Sequence, residues 1–422
     1  MPDQSIPFDP TGVVVVGAGA AGLATAIFAR RFNPSRPVLL LDGAKRPGAK
    51  ILVSGGSRCN VTNRVVGERD FWGGRSTMVR RVLKAFTADA AVRFFLEMGV
   101  RLREEEDGKL FPDSNRSRDV LHALLREVAS TGATLLADHR VVGIAREPDR
   151  FRIETAHGRM EAAAVVIATG GQSLPKSGSD GTGYELARRL GHSTVSPTPA
   201  LVPLVLDERT SIHREVAGVA QDVELTLWID GGVSTRLTGA LLWTHVGASG
   251  PVAMNMSRHW LRAREDGRRA IVTLSFCPRA SFDQIDARMA SGAGESRRVS
   301  VQTTLSQLVP ASVAGALVAR LAIDPKTPLA HLSRADRRRL AHALIEWPLA
   351  IVGTRGYNYA EATAGGVTLD EIDPATMESR VCPGLFLVGE VLDVDGRIGG
   401  FNFQWAWSSA FVAARALGRR AT

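Results

Sequence analysis

Residues 13–42 constrain this chain more than any other stretch. Four valines (13–16) run into GAGAAG (17–22) and LATAIFARR (23–31), and VLLLD follows at 38–42. A β-branched run with no polar alternation cannot show one face to water, so it predicts a strand buried on both sides, as in a parallel sheet. The glycine turn opens a helix that ends near Asn33-Pro34, and VLLL is a second buried strand. GxGxxG alone is a weak signal. Here a strand precedes it, a helix follows it, and Asp42 tips the next strand 20 residues after Gly22, which is the phosphate turn of a dinucleotide-binding fold. Gly17 permits the tight turn, Gly19 lets the backbone approach a pyrophosphate, and Gly22 lets helix and strand pack closely; Ala18 and Ala21 share the turn. The helix start offers unpaired N–H groups and the positive end of its dipole to the phosphates, and Asp42 would accept from a ribose hydroxyl.

Residues 12–29 carry no charge and could pass for a signal peptide or a membrane span. The preceding MPDQSIPFDP has two Asp and no Lys or Arg, four glycines weaken a spanning helix, and no other apolar run is long enough. Cys59, Cys277 and Cys382 are far apart with no CxxC, which excludes a disulfide framework and a zinc site and points to a reducing compartment. A soluble, cytoplasmic protein with no metal is expected. The formal net charge is +9, with basic clusters at 80–84, 257–269, 334–339 and 418–420. They are either a solvated surface or an electrostatic footprint for ribosomal RNA or another polyanion.

At 422 residues the chain exceeds one ordinary core. Helical patterns cover 76–99 and 117–131. HRVVGIARE (139–147) and FRIETA (151–156) form a strand pair broken at Pro148-Asp149, AAAVVIATGG (162–171) is a buried strand ending in glycines, and DGTGYELARRLGH opens a helix. From about 196 the chain turns β-rich and then helical over about 280–345. Residues 361–422 return to the first style with LFLVGE (385–390), a glycine-rich loop and a last helix from about 403. The predicted fold class is α/β: a Rossmann-like FAD-binding domain of the glutathione-reductase kind, made of 1–195 and 361–422 and interrupted by an inserted β-rich plus helical domain over 196–360. FAD is preferred to NAD because of the third strand, LFLVGE, ending in Glu390, which resembles the strand of two-dinucleotide-binding flavoproteins that ends beside the flavin ribityl chain. The following helix would aim its positive end at the flavin pyrimidine.

Several motifs, GAGAAGLATA, GAKILVSGGSRCNVTN, ATGGQSLPKSGSDGTGYELARRLGH, GALLWTHVGASGPVAMNMS, TAGGV with TMESR, and GLFLVGEVLDVDGRIGGFNFQWAWSSA, resemble the YhiN/BaiN-type FAD-dependent oxidoreductases over nearly the whole chain. Ser57 stands where that family usually has a third glycine. The resemblance implies hydride transfer from flavin N5 to an activated C=C bond, with protonation of the neighbouring carbon by a side chain or water. Family substrates include a uridine in ribosomal RNA, which gives dihydrouridine. The alternative is a small-molecule enone reductase or aminoketone oxidase with no RNA role. NADPH or NADH is the expected transient donor, since no second strand-preceded GxGxxG is visible.

With the glycine turn and Asp42, the expected cofactor contacts are Lys50, Ser54, Gly55, Gly56, Arg58, Cys59, Asn60, Thr62, Val142, Ala168, Thr169, Gly170, Gly389, Glu390, Asp393, Gly399, Gly400, Phe401, Asn402 and Gln404. Cys59 sits in a Gly/Ser/Asn stretch with nothing apolar to bury it. Arg64, five positions on, rules out a dithiol relay of the glutathione-reductase type. Cys59 is then a structural residue of a cofactor loop, a general acid, or a thiolate tuned by Arg58. His245, in WTHVGASGP, is either a structural turn residue or a donor to the substrate.

Overall fold

The computed structural model describes residues 5–295 and 299–420. They form two compact units, one of Met1–Pro199 with Glu361–Thr422, the other of Ala200–Ala360. Each has its own hydrophobic core.

The first unit is built on β1 (Val13–Val16), α1 (Ala20–Phe32), β2 (Val38–Leu41), α2 (Ala49–Ser57), β3 (Thr134–Leu136), β4 (Ala164–Ile167), β5 (Ala362–Val367), β6 (Leu385–Leu387) and α3 (Phe401–Arg419). Five strands make one parallel sheet in the order β6-β4-β1-β2-β3. Every residue of β1, β2, β4 and β6 is buried, as their unbroken Val/Leu/Ile runs require. The first strand of the chain lies at the centre, and the last, β6, joins the sheet beside β4. The chain's two ends therefore share one sheet, and α3 packs along α1.

Two local expectations are corrected. The helical pattern of 76–99 is two helices, Ser76–Ala85 and Ala88–Glu97, because Phe86 is extended and the Thr87 hydroxyl caps the second by accepting from the Ala90 N–H at 3.3 Å. The stretch read as an open loop before Cys59 is largely α2, kinked where Ser54, Gly55 and Gly56 leave helical angles.

The second unit carries an antiparallel seven-stranded sheet: Trp347–Leu349, Ala270–Ser275, Ala220–Ile229, Gly232–Thr244, Gly247–Ser249, Leu204–Leu206 and Ile351–Thr354, in that spatial order. Helices Pro251–Glu265, Ala311–Arg320 and Arg334–Ile345 share its core with the fully buried Trp243. No helix among the described residues is long and apolar enough to cross a membrane, and no group of three or more His, Cys, Asp or Glu there could hold a metal.

Candidate active site

In an open parallel sheet, ligands bind beyond the carboxyl ends of the strands. Four such ends converge in the first unit: Gly17–Gly22 after β1, Asp42 after β2, Ala168–Gly171 after β4, and Gly389–Glu390 after β6. Their closeness is set by absent side chains. A Cβ on Gly17 would lie 2.6 Å from the Ala168 carbonyl oxygen, one on Gly22 would lie 1.8 Å from the Gly17 oxygen, and one on Gly389 would lie 2.8 Å from the Ala21 Cβ. Gly19 differs, because a Cβ there would meet nothing within 4 Å. It is the open face of the turn and also the N-cap of α1, with no side-chain cap and no acid in the first turn. The N–H groups ahead of Leu23 have no intrahelical acceptor and stay available to an anion. Asp42 accepts from the Ala18 N–H at 2.6 Å and from the Ala44 N–H at 2.7 Å, and each oxygen keeps a lone pair for a hydroxyl.

A second constellation lies at the ends of β4 and β6. Lys50, from α2, sets its Nζ 2.5 Å from Glu390 Oε2 and also bonds the Ser173 hydroxyl. Glu390 Oε1 accepts from Ser173 Oγ at 3.0 Å and from the Thr363 N–H at 2.8 Å. Thr363 Oγ1 in turn accepts from the N–H groups of Gln172 and Ser173 at 2.8 and 3.0 Å. Four segments distant in sequence are thus tied together.

The residues present fit a flavin adenine dinucleotide. The turn has one open glycine, the acid after β2 has spare acceptor capacity, and two buried polar atoms, Thr169 Oγ1 just past β4 and Asn60 Oδ1 just past α2, have no partner. Buried polar groups are normally satisfied, so orphans beside a cradle suit a ligand that completes them.

The family model described as "HI0933-like protein Rossmann domain" matches residues 11–416. The chain belongs to this family. It is an FAD-dependent oxidoreductase. It is 31% identical over 406 residues to the 3-dehydro-bile acid delta(4,6)-reductase of Clostridium scindens, covering 96% of this chain and 98% of that one. It is 32% identical over 408 residues to the ribosomal RNA dihydrouridine synthase of Escherichia coli, covering 96% and 97%. Among solved structures, E. coli quinol fumarate reductase superposes with a TM-score of 0.51 at 17% identity, covering 98% of this chain and 70% of that one, which is a likeness of fold.

Within this HI0933-like chain, the other expected site residues divide. Gly55 and Gly56 in the kink of α2 and Gly170 just past β4 take positive φ angles, and a Cβ on Gly56, like Gly19, would meet nothing within 4 Å. Ser54 turns its hydroxyl back to the Ile51 carbonyl at 2.8 Å. Arg58 pairs with Glu105 at 2.9 Å and lies 4.1 Å over the Phe111 ring, so its charge is committed away from any phosphate. Thr62 donates to Gln404 Oε1 at 2.6 Å, and Gln404 Nε2 reaches the Phe86 carbonyl at 2.9 Å; both residues are buried struts. Gly399 and Gly400 have φ of 122° and 92°; Gly400 N-caps α3, and a Cβ there would strike the Thr62 carbonyl at 2.5 Å. Phe401 is fully buried, Asn402 pairs with the Gly396 backbone, and Asp393 is buried. Val142 is half exposed on the edge strand Val141–Arg146. His245 is exposed in a turn of the second unit.

Cys59 answers differently from the way its neighbours suggest. It is fully buried in the core at φ 62°, its N–H donates to the Ser54 carbonyl at 3.0 Å, and burial pushes its thiol up to about 12, against a smaller opposing hydrogen bond with Ser54. It belongs to the hydrophobic core of the first unit, which the open-loop reading did not provide. A thiol so placed is not ionised at neutral pH and has no surface through which to meet a substrate.

Three residues escaped sequence reasoning: Ser173, Thr363 and Glu361. Their signal was present in part, since Ser173 follows the glycines after β4 and Thr363 opens TAGGV, where Gly365 and Gly366 have φ of 90° and 132°. Their meeting with Lys50 and Glu390 is not local.

Proposed function

We propose that this protein reduces an activated carbon–carbon double bond in a uridine of ribosomal RNA, giving dihydrouridine, with NADPH or NADH as electron donor. The observation that carries this is full-length likeness to two proteins whose names denote the addition of hydrogen across such a bond, the E. coli enzyme among them. When bound and reduced, FAD supplies the hydride from its N5. The chain's own groups would do the rest. The Gly17–Gly22 turn, with Ala18 and Ala21, and the α1 N-terminus hold pyrophosphate, and Asp42 takes a ribose hydroxyl. Lys50, Asn60, Ala168, Thr169, Gly170 and Glu390 line the flavin end.

A base inside paired RNA must be unstacked before it can lie against a flavin, which costs a few kcal/mol and calls for phosphate contacts. The net charge of +9 serves that end. Part of the basic surface is internally spent: Arg337 pairs with Asp286 at 2.8 Å, Arg339 with Asp336 at 2.8 Å and Arg80 with Glu68 at 2.7 Å. Arg81, Arg264 and Arg334 make no ion pair among the described residues and remain for phosphate.

The test is mass spectrometry of ribosomal RNA from a strain lacking the gene, together with reduction by the purified FAD-loaded enzyme and NADPH. Loss of a two-hydrogen modification, restored by the enzyme, is expected. RNA binding should weaken steeply with salt, the log of affinity falling linearly with the log of salt concentration. Unchanged ribosomal RNA together with reduction of a steroid-type dienone would overturn the RNA reading in favour of the small-molecule one, whose support is the C. scindens likeness.

A further inference from the structure

The geometry points to Glu361 as the acid that protonates the second carbon of the double bond, an inference that rests on the C=C reduction proposed above. Glu361 stands immediately before β5 and two residues before Thr363, whose N–H and hydroxyl are fixed to Glu390, Gln172 and Ser173. It therefore belongs to the knot at the carboxyl ends of β4 and β6, where the dinucleotide cradle opens. Its own backbone carbonyl accepts from Ser173 Oγ at 3.4 Å. Its carboxyl makes no hydrogen bond or ion pair among the described residues. Glu390 is the contrast: Lys50, Ser173 and the Thr363 N–H hold it, so it is fixed as an acceptor.

The surroundings of Glu361 suit an acid. Solvent reaches the side chain, yet the surrounding protein strips enough hydration to push its carboxyl up from the usual glutamate range, with Lys50 pulling weakly the other way. A carboxyl raised in this way keeps its proton closer to neutral pH, where a general acid is most effective. Lys50 is the charged group of the knot whose field reaches it. Of the other acids in this unit, Cys59 is sealed in the core, and Asp393 and Asp395 are buried.

The step balances. Two electrons enter the substrate as hydride on one carbon. The Glu361 O–H bond breaks, its proton goes to the neighbouring carbon, and the carboxylate left behind recovers a proton from the water that reaches it. The nicotinamide dinucleotide is the ultimate reductant.

The test is Glu361→Gln in the FAD-loaded enzyme, with Glu361→Asp beside it. Both should purify yellow and bleach with NADPH as wild type does. Reoxidation of the reduced enzyme by uridine-containing RNA should slow on the order of 10²–10⁴-fold in Glu361→Gln, the usual worth of a positioned acid, and less in Glu361→Asp. Independently of turnover, the infrared carbonyl stretch of a protonated carboxyl should be present in wild type at mildly acidic pH and missing from Glu361→Gln. A Gln variant that reduces RNA at the wild-type rate, or a difference spectrum without that band, overturns the assignment. If the wild type reduces neither RNA nor a dienone, the reading beneath it falls as well.

Discussion

Lys50 and Glu390, 340 residues apart, meet at 2.5 Å and bind the helix after β2 to the turn after β6. Both side chains are less than a quarter exposed. Removing the cation leaves a half-buried carboxylate with two neutral donors.

Lys50→Met should therefore lower stability by about 1–3 kcal/mol, the cost of unpairing a charged hydrogen-bonded group away from bulk water. Lys50→Arg should recover less than half of it, since a planar fork does not fit a site built for one ammonium. Thermal melts of the apoprotein check this. Unchanged melting in Lys50→Met would mean that the contact contributes nothing net.

Gly19 and Gly22 separate cofactor binding from folding. Gly22→Val puts a side chain on the Gly17 carbonyl and should abolish soluble folded protein. Gly19→Val meets no protein atom, so the apoprotein should keep its melting temperature while FAD affinity drops at least about tenfold, or 1.4 kcal/mol. Flavin fluorescence titration beside circular dichroism reads both.

Cys59→Ser should retain FAD and turnover, and iodoacetamide should leave the folded wild-type Cys59 unlabelled at neutral pH. The pH dependence has a definite sign. Burial raises the folded thiol from its ordinary value of 9.0 to about 12, so the unfolded chain loses this proton first. The thiol's contribution is complete below pH 9 and is lost as pH rises toward 12. Denaturant midpoints of wild type should fall faster over that interval than those of Cys59→Ser; parallel curves would contradict the burial.

His259 works at the acid end. Burial, aided by Arg258, lowers its folded value from 6.5 to about 3, so the unfolded chain binds this proton first. The second unit should lose stability as pH falls from 6.5 toward 3, and His259→Gln should flatten that limb of the curve relative to wild type.

The glycine turn was legible because its signal is local. A buried Val run, three glycines at fixed spacing and an acid at the next strand's tip are requirements of backbone geometry within 30 residues, and the fold packs backbone tightly at Gly17 and Gly22 and bonds Asp42 to the Ala18 N–H. The interruption in 76–99 was also local but hidden, since Thr87 looks like any helix residue until its hydroxyl is seen capping Ala90.

By itself, then, the sequence determined the parallel sheet and the dinucleotide turn, because strand burial and glycine conformation depend on neighbours along the chain. Only the tertiary structure decided what Cys59, Arg58 and Glu361 face. Cys59 is buried in the core of the first unit, Arg58 is drawn to Glu105 and Phe111, and Glu361 is left uncommitted beside a knot assembled from residues near 50, 173, 363 and 390. Burial and charge pairing are sums over whatever the fold brings near, and no spacing in the chain encodes them.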